Sequence, residues 1–424
     1  MPHRDDLSAP GDGATARPAE RHLLRGDLIA SGTRQDDAVV HVEDGRIAWT
    51  GPAAAWPGPA GDLPAAAPGR LSLPGLVDVH CHGGAGHGFP EADADGARAA
   101  ADHHLRHGTT TLMGSLVSAP AAELERRIGE LRPLVASGRL AGIHLEGPFL
   151  SAARCGAQDP ESIIPGDPDL LRRLLEAGQG TVRSVTLAPE TPLLRELLEV
   201  LAAADVTPSF GHTEASAVDT RAAIAAVGGR RLGATHLFNG MPPLHSRAPG
   251  PVAACLAAAA RGAMVLELVG DGVHLADETV AMVFDLVGPE RIALTTDAMA
   301  AAGMPDGRYP LGPMTVDVVG GVARLAGDPG TIGAIAGGTA RLVDVLRRAV
   351  QEAGVPLPVA VTAATSTPAR LLGMEAEVGD VVPGRRADLL ITDPDLLPRA
   401  VLRAGQWVGP ESAHTRALAD TEVS

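Results

Sequence analysis

Two histidines separated by one residue, His80 and His82, lie in the segment VDVHCHGG at residues 77–84. We interpret this segment as a strand, in which alternate side chains point to the same face. Both imidazoles would then lie on one side of the strand and Cys81 on the other. Such a pair either binds one metal ion through both imidazoles or is a chance occurrence of two polar residues in a strand. The rest of the chain must decide between these two interpretations.

Further candidate ligands stand at the ends of other predicted strands. Each one alone has a simpler explanation as a hydrogen-bonded surface group, but the whole series is hard to obtain by accident. Imidazole nitrogens and carboxylate oxygens together suit one or two divalent ions. The predicted metal ligands are His80, His82, Glu146, His212, His236 and Asp297, and His274 is a further strand-end candidate.

The chain contains no lysine, so all 35 of its basic residues are arginine. This absence excludes a Schiff-base lysine and a P-loop lysine. It also excludes a carbamylated lysine that bridges two metal ions. If two ions bind, a glutamate or an aspartate must bridge them.

Other histidines provide a contrast with the strand-end set. His103, His104 and His107 lie in the helix-like segment ADHHLRHG, and we expect them on a solvated face. His144 lies two residues before Glu146 and therefore on the same strand face. It could line the interior of a barrel, and its role is left open.

The strand-end residues belong to a region in which short apolar runs alternate with segments of helical spacing. This alternation predicts an α/β fold, a (β/α)8 barrel of the TIM type, rather than an open sheet. Active sites of such barrels lie at the C-terminal ends of the strands. The predicted strands lie at residues 76–80, 109–115, 140–147, 182–189, 206–212, 233–239, 263–274 and 291–298.

Both chain ends contain short alternating segments with glycine turns, which predict β-hairpins. Each end is too short to bury a core alone, so we expect one small β-sandwich domain built from both. Two independent β pieces are the alternative. The predicted domains are a disordered tail at 1–21, a composite β domain at 22–74 and 376–410, the barrel at 75–375 and a tail at 411–424.

Composition limits the partners and the location of the protein. The net charge is −16 and the chain has no basic run, so we expect no nucleic-acid partner. No apolar run is long enough to predict a membrane span, and the polar start lacks the core of a signal peptide. Three scattered cysteines argue against a disulfide framework. We therefore expect a cytoplasmic protein.

The segments VDVHCHGG, HLEGPFL, GHTEAS, ATHLFNGMPPLHSRAPG, DGVHL and LTTDAM occur in this order. The series resembles the amidohydrolase superfamily and, within it, the N-acetylglucosamine-6-phosphate deacetylase family. The resemblance spans residues 22–408. The LEGP and THLFN segments are more diagnostic of it than the two histidines at 80 and 82.

The resemblance implies a role for each matching position. Glu146, His212 and His236 correspond to the metal ligands shared across the family, and relatives with His-x-His can hold a second ion. Asp297 corresponds to the catalytic aspartate that activates water and protonates the leaving amine. The expected cofactor is one or two divalent ions per subunit, zinc first, with Fe²⁺, Mn²⁺ or Co²⁺ as alternatives. The expected assembly is a homodimer with the site close to the interface.

Substrate contacts also follow from the resemblance. His274 can bind the sugar or stabilise the oxyanion, and it is counted with Asp297 as catalytic. Arg247 corresponds to a phosphate partner, for which the planar guanidinium is well suited. The implied substrate-binding residues are Ala157, Gln158, Asn239, the backbone of Gly240, Arg247 and His274.

Three features depart from the family pattern. Gln158 replaces a histidine implied to touch the sugar, so recognition of the sugar hydroxyls differs at that position. Gly240 replaces a more usual alanine, and residues 325–338 are unusually rich in glycine. Cys155 lies on the same loop as Gln158 and is either a neutral loop residue or an oxidisable thiol.

The implied function is deacetylation of N-acetyl-D-glucosamine 6-phosphate to D-glucosamine 6-phosphate and acetate, in amino-sugar catabolism or cell-wall recycling. One alternative keeps the chemistry but uses the galacto epimer or another N-acyl amide. A third hypothesis is a catalytically inactive scaffold, which the complete set of candidate ligands disfavours. The absence of lysine excludes cyclic-amide hydrolysis that depends on a carbamylated lysine.

Overall fold

The computed structural model describes residues 21–327 and 332–409. The strands are β1 (Arg21–Ala30), β2 (Thr33–Glu43), β3 (Arg46–Pro52), β4 (Leu71–Pro74), β5 (Leu76–Asp78), β6 (Gly83–Gly84), β7 (His87–Gly88), β8 (Thr109–Leu116), β9 (Gly142–Glu146), β10 (Val182–Leu187), β11 (Thr207–Phe210), β12 (Gly233–Ala234), β13 (Val265–Leu268), β14 (Ile292–Leu294), β15 (Gly307–Leu311), β16 (Met314–Val319), β17 (Val322–Leu325), β18 (Leu389–Thr392), β19 (Pro398–Arg403) and β20 (Gln406–Trp407).

Helices alternate with the strands in the middle of the chain. The α-helices are α1 (Ala94–Arg106), α2 (Ala121–Ala136), α3 (Pro168–Gly178), α4 (Leu194–Ala203), α5 (Ala217–Val227), α6 (Gly250–Ala260), α7 (Asp277–Val287), α8 (Leu342–Gln351), α9 (Leu357–Ala364) and α10 (Ser366–Leu371). Short 3₁₀ helices lie at Ala53–Ala55, Ala60–Asp62, Ala152–Arg154, Pro160–Ser162 and Pro289–Arg291. Within the described ranges, no helix is long and apolar enough to cross a membrane.

Eight strands form a parallel sheet in the order β5-β8-β9-β10-β11-β12-β13-β14. One helix, α1 to α7, follows each of the first seven strands, and α8 follows β14 after an insertion. Each helix buries an apolar face against the sheet, as in other α/β barrels. The predicted (β/α)8 barrel is therefore confirmed.

The segments after β5 and β14 close this barrel. The Asp297 N–H donates to the His80 carbonyl at 3.0 Å, and the His82 N–H donates to the Ala298 carbonyl at 2.7 Å. These bonds form a parallel bridge at Cys81 and Ala298, which joins the segments after the first and last barrel strands. They also place the two histidines beside Asp297, although more than 200 residues separate them in the sequence.

A buried carboxyl group ties the same two strands together. Asp78, which is 0% exposed, accepts hydrogen bonds from the hydroxyls of Thr295 and Thr296, both at 2.6 Å. Its Oδ1 also accepts from the His80 N–H at 3.3 Å. Each oxygen of the carboxyl group thus has a partner, which a buried polar group requires.

Strands from both chain ends form one seven-stranded sheet in the order β20-β19-β18-β4-β1-β2-β3. One apolar cluster joins the two halves of this sheet. It contains Leu24 and Val42 from β1 and β2, together with Ile391 and Leu402 from β18 and β19. The sheet therefore folds around its own core, and the prediction of one β unit from both ends is confirmed. The domain boundaries stay predictions. The tails predicted at 1–21 and 411–424 lie outside the described residues, except for Arg21.

A three-stranded antiparallel sheet, β15–β17, separates β14 from α8 and was not predicted from the sequence. The described end of the glycine-rich segment, residues 332–338, returns to the barrel strands. The Gly338 N–H donates to the Asp297 carbonyl at 2.6 Å. A β-carbon at Gly338 would lie 2.5 Å from the Thr296 carbonyl oxygen, so this approach requires glycine.

The prediction of a solvated histidine face on α1 was wrong. His103 is 7% exposed and His104 is 0% exposed, because this face of α1 packs on the segment after β5. The His104 Nε2 atom lies 2.9 Å from the Gly83 carbonyl oxygen and 3.4 Å from Cys81 Sγ. These side chains are buried polar groups of the barrel wall.

Replacing Asp78 by alanine should lower the free energy of unfolding by about 3 kcal/mol, because two buried hydroxyls lose their acceptor. Urea denaturation followed by circular dichroism measures this change. Asp36→Ala is the matched control, since the Asp36 side chain is 81% exposed. If both variants were equally stable, the Asp78 carboxyl would not hold the barrel closed.

Candidate active site

Six buried side chains meet at the C-terminal mouth of the barrel and form two clusters. The members come from the ends of β5, β9, β11, β12 and β14, as the barrel topology predicts. The first cluster is His80, His82 and Asp297, and the second is Glu146, His212 and His236. The structure thus brings all six predicted ligands together, and their role as ligands stays a prediction.

The first cluster joins two imidazoles and one carboxylate. The Nε2 atoms of His80 and His82 are 3.0 Å apart, and Asp297 Oδ1 lies 3.4 Å from each. On the far side of the rings, His80 Nδ1 contacts Glu267 Oε2 at 3.1 Å and His82 Nδ1 contacts the Ser115 carbonyl at 3.2 Å. Such acceptors favour Nδ1–H donation, which leaves the Nε2 lone pairs aimed at the centre.

The second cluster has the same character. The Nε2 atoms of His212 and His236 are 3.1 Å apart, and Glu146 Oε1 lies 3.0 Å and 2.9 Å from them. His212 Nδ1 donates to the Arg154 carbonyl at 2.7 Å, which fixes that ring. His236 Nδ1 is buried and has no hydrogen-bond partner within residues 21–327 and 332–409.

Glu146 connects the two clusters through its two oxygens. While Oε1 faces His212 and His236, Oε2 lies 3.1 Å from His82 Nε2 and 3.6 Å from His80 Nε2. One carboxylate oxygen is therefore available to each cluster. If each cluster holds an ion, Glu146 is placed to bridge the two, the task that a chain without lysine leaves to an acidic residue.

The donor set fits a divalent metal ion. Imidazole nitrogens that face each other at 3.0 Å repel unless a cation or a proton lies between them. Burial opposes charge on His82, yet the Asp297 and Glu146 carboxylates raise its pKa to about 9. Burial likewise favours a neutral Glu146, but the surrounding histidines, first His80, hold its pKa well below the usual range. The clusters therefore attract positive charge, and their nitrogen and oxygen atoms suit zinc or a similar ion.

The backbone turns sharply at three of these side chains. His212, His236 and Asp297 have φ angles of +46°, +29° and +47°. Residues other than glycine seldom adopt this region, and each instance costs on the order of 1–3 kcal/mol. The turn ends the strand and projects the side chain over the barrel mouth. Such conformations are characteristic of functional sites.

Asp297 faces the cavity beside His274. Burial favours the neutral acid, but the charges of His80 and His82 lower the pKa of Asp297 well below its usual value, so it is ionised at neutral pH. Asp297 Oδ2 lies 3.8 Å from His274 Nε2. Asp271 was missed in the sequence: its Oδ2 accepts from His274 Nδ1 at 2.9 Å and orients the ring. The three-residue spacing of Asp271 and His274 in the segment DGVH was the sequence feature that could have predicted this contact.

The clusters open into a cavity of about 320 Å³, which is the size of a small-molecule site. It also receives side chains from the segment of β15–β17 and the residues after it. Its lining includes the predicted residues Ala157, Gln158, Asn239, Gly240 and His274, together with Val117, Phe238, Leu311, Ala334, Ile335 and Gly337.

Arg247 does not line this cavity. It lies exposed on the loop between β12 and α6, where its backbone N–H donates to His245 Nδ1 at 3.2 Å. Within one chain, the predicted phosphate partner is therefore separated from the predicted metal ligands. Its role stays a prediction.

Two other predicted contacts have local partners. Asn239 Nδ2 donates to the His236 carbonyl at 3.2 Å and so braces the turn that carries His236. Gly240 has a φ angle of +60°, and a β-carbon there would lie 3.0 Å from His212 Nδ1. Glycine suits this backbone conformation better than the alanine expected from the resemblance.

His144, whose role the sequence left open, lies inside the barrel under the first cluster. Its ring stands edge-on to His80 at a centroid distance of 4.6 Å. Its two nitrogens contact Ser115 Oγ at 3.0 Å and Thr186 Oγ1 at 2.8 Å. Burial holds the pKa of His144 well below its usual value. It is therefore a neutral supporting group, and Glu267 on β13 is a second interior support that sequence reasoning missed.

Comparison with known proteins agrees with this geometry. The amidohydrolase family matches residues 71–418. This chain belongs to the amidohydrolase family. An N-acetylgalactosamine-6-phosphate deacetylase from Escherichia coli O157:H7 is 32% identical over 91% of this chain and 98% of its own length. An N-acetylglucosamine-6-phosphate deacetylase from Bacillus subtilis (strain 168) is 31% identical over 84% of this chain and 89% of its own length.

A solved amidohydrolase structure is also similar. It is that of a mutant N-acetyl-D-glucosamine-6-phosphate deacetylase from Mycobacterium smegmatis in complex with N-acetyl-D-glucosamine-6-phosphate. The TM-score is 0.86 at 40% identity, and the match covers 92% of this chain and 100% of the other. Because the match covers 92% of this chain, it includes the β unit built from both chain ends as well as the barrel.

Replacing His80 and His82 together by alanine should remove one metal equivalent, because the first cluster keeps only carboxylate oxygens. The second cluster should retain its ion on Glu146, His212 and His236. Elemental analysis of metal-loaded, dialysed protein measures the content. The control H87A/H245A changes two exposed histidines and should leave the content unaltered. The same metal content in both variants would contradict the assignment.

Proposed function

We propose that this amidohydrolase removes the acetyl group from N-acetyl-D-glucosamine 6-phosphate and releases acetate and D-glucosamine 6-phosphate. The observation that carries the proposal is the pair of buried clusters joined by Glu146, with an ionised Asp297 at the cavity wall. The named relatives hydrolyse the same kind of linear amide in phosphorylated amino sugars. A divalent ion is the proposed cofactor, and zinc is the proposed ion.

The reaction needs help at two points. Water is a weak nucleophile, and the amine of an amide is a poor leaving group. His80, His82 and Asp297, and Glu146, His212 and His236, would hold one or two divalent ions. Such ions would supply Lewis acidity, which would lower the pKa of water to about 7 and polarise the amide carbonyl. The protein itself must orient the amide, hold a base beside it and return a proton to nitrogen.

Asp297 is the proposed base and acid. Its lowered pKa keeps it ionised at neutral pH, so its free oxygen can accept a proton from the attacking water. The same proton then passes to the amide nitrogen as the C–N bond breaks. His274, held by Asp271, stands 3.8 Å from Asp297 and can donate a hydrogen bond to the substrate oxygen or to a sugar hydroxyl.

The galacto epimer is the second candidate substrate. The E. coli relative, 32% identical over 91% of this chain, is named for N-acetylgalactosamine 6-phosphate. Arg247 stays the proposed phosphate partner. We propose that it reaches the substrate either by movement of its own exposed loop or by entering the cavity of the neighbouring subunit in the proposed homodimer. The cytoplasmic location also stays a prediction.

Acetate release by metal-reconstituted protein tests the function directly. The substrates to compare are N-acetylglucosamine 6-phosphate, its galacto epimer and unphosphorylated N-acetylglucosamine. We expect fast release from the phosphorylated gluco sugar and slow release from the unphosphorylated one. Faster release from the galacto epimer would favour the second candidate. No release from any of them, with metal bound, would contradict the proposed function.

Asp297→Asn should preserve the fold and at least the ion on the second cluster, yet lower turnover by about 10²- to 10⁴-fold, because the amide cannot accept the proton. Acetate release and metal content measured on the same sample separate the two effects. Asp95→Asn is the control, since the Asp95 side chain is 92% exposed. Turnover within a few-fold of the parent protein would show that another group is the base.

A further inference from the structure

Gln158 touches the bridging carboxylate rather than only the cavity. Its Nε2 donates to Glu146 Oε2 at 2.6 Å, and its Oε1 accepts from the Ser118 N–H at 2.7 Å. The Gln158 side chain is buried, at 4% exposure. Both ends of its amide are therefore used inside the protein.

The partners fix which way the amide points. The backbone N–H of Ser118 can only donate, so the amide oxygen must face it. The NH₂ group is then left to face Glu146 Oε2, to which it donates. The opposite orientation of the Gln158 amide would place its NH₂ group against the Ser118 N–H, so only the observed orientation satisfies both neighbours.

The hydrogen bond acts on the torsion that decides how Glu146 is shared. Rotation about the bond to the carboxyl group is soft, because this terminal torsion has no sharp minima. In the observed rotamer, Oε1 faces His212 and Oε2 faces His82. A carboxylate oxygen accepts at two lone pairs, so a bond from Gln158 leaves Oε2 able to serve the first cluster as well.

We infer that Gln158 is a positioning residue that reserves Oε2 of Glu146 for the first cluster. Without this bond, the carboxylate can turn both oxygens toward His212 and His236. The first cluster would then keep two imidazoles and Asp297 but lose its fourth protein ligand. The inference rests on the proposed metal-dependent function. It adds a residue that sets the metal affinity of the first cluster relative to the second.

The loop that carries Gln158 also supports the second cluster, but through a different group. The Arg154 carbonyl accepts from His212 Nδ1 at 2.7 Å. General disruption of the loop would therefore weaken both clusters. Loss of the Gln158 amide alone should weaken only the first, and this difference separates positioning from a merely structural role.

Metal titration of Gln158→Leu tests the inference. Leucine keeps the bulk of the side chain but has no N–H group. Zinc binding to metal-free protein, measured by competition with a chromophoric chelator, should show the first-cluster affinity reduced about 10- to 100-fold, the usual effect of losing an outer hydrogen bond. The second-cluster affinity should not fall, because Glu146 can still turn toward His212 and His236. Gln351→Leu, the same substitution at an exposed position on α8, is the matched control.

The same substitution in the H80A/H82A background completes the cycle. There the first cluster is already lost, so Gln158→Leu should cause no further loss of zinc affinity. Equal weakening of both positions, a persisting loss of zinc affinity in that background, or tighter binding at the first cluster would each overturn the inference. The titration contains no sugar, so a wrong substrate assignment leaves its result intact. Failure of the parent protein to bind zinc would instead count against the metal-dependent function itself.

Discussion

A buried glutamate carboxylate held among four imidazoles is the interaction on which the site depends. Glu146 is 3% exposed, and its oxygens lie 2.9–3.1 Å from the Nε2 atoms of His82, His212 and His236. A charge taken out of water is tolerated only with close partners of opposite charge. Without lysine in the chain, this carboxylate is the group that can join two cationic centres.

Much of the surrounding structure keeps these donor atoms facing one another. The barrel is closed by bonds that place His80 next to Asp297, and Asp78 fastens the same two strands. Outer acceptors such as Glu267 fix the rings so that their free lone pairs point inward. The left-handed backbone at Asp297 is an unfavourable conformation for a residue other than glycine, and the surrounding contacts hold it in place. The site is therefore a property of the whole barrel, not of one loop.

The sequence predicted what is periodic and local. The eight apolar runs predicted the barrel strands, and the six candidate ligands that the structure brings together were singled out because each was predicted at a strand end. Contacts set by tertiary packing escaped prediction: the sheet β15–β17, the burial of His104, and the supports Glu267 and Asp271. Gln158 was expected to face the sugar, but its bond to Glu146 depends on a loop path that residue types do not encode. Arg247 was assigned from resemblance, and its exposed position on the loop between β12 and α6 could not be predicted from residue types.

A crystal structure of the zinc-loaded protein, with an anomalous difference map at the zinc edge, tests the central claim most directly. The account predicts two peaks about 3.5–4 Å apart, a separation typical of two-metal sites, with the Glu146 carboxylate bound to both. One peak would lie on His80, His82 and Asp297, and the other on His212 and His236. A map in which both oxygens of Glu146 bind one ion, or in which Glu146 binds neither, would contradict it.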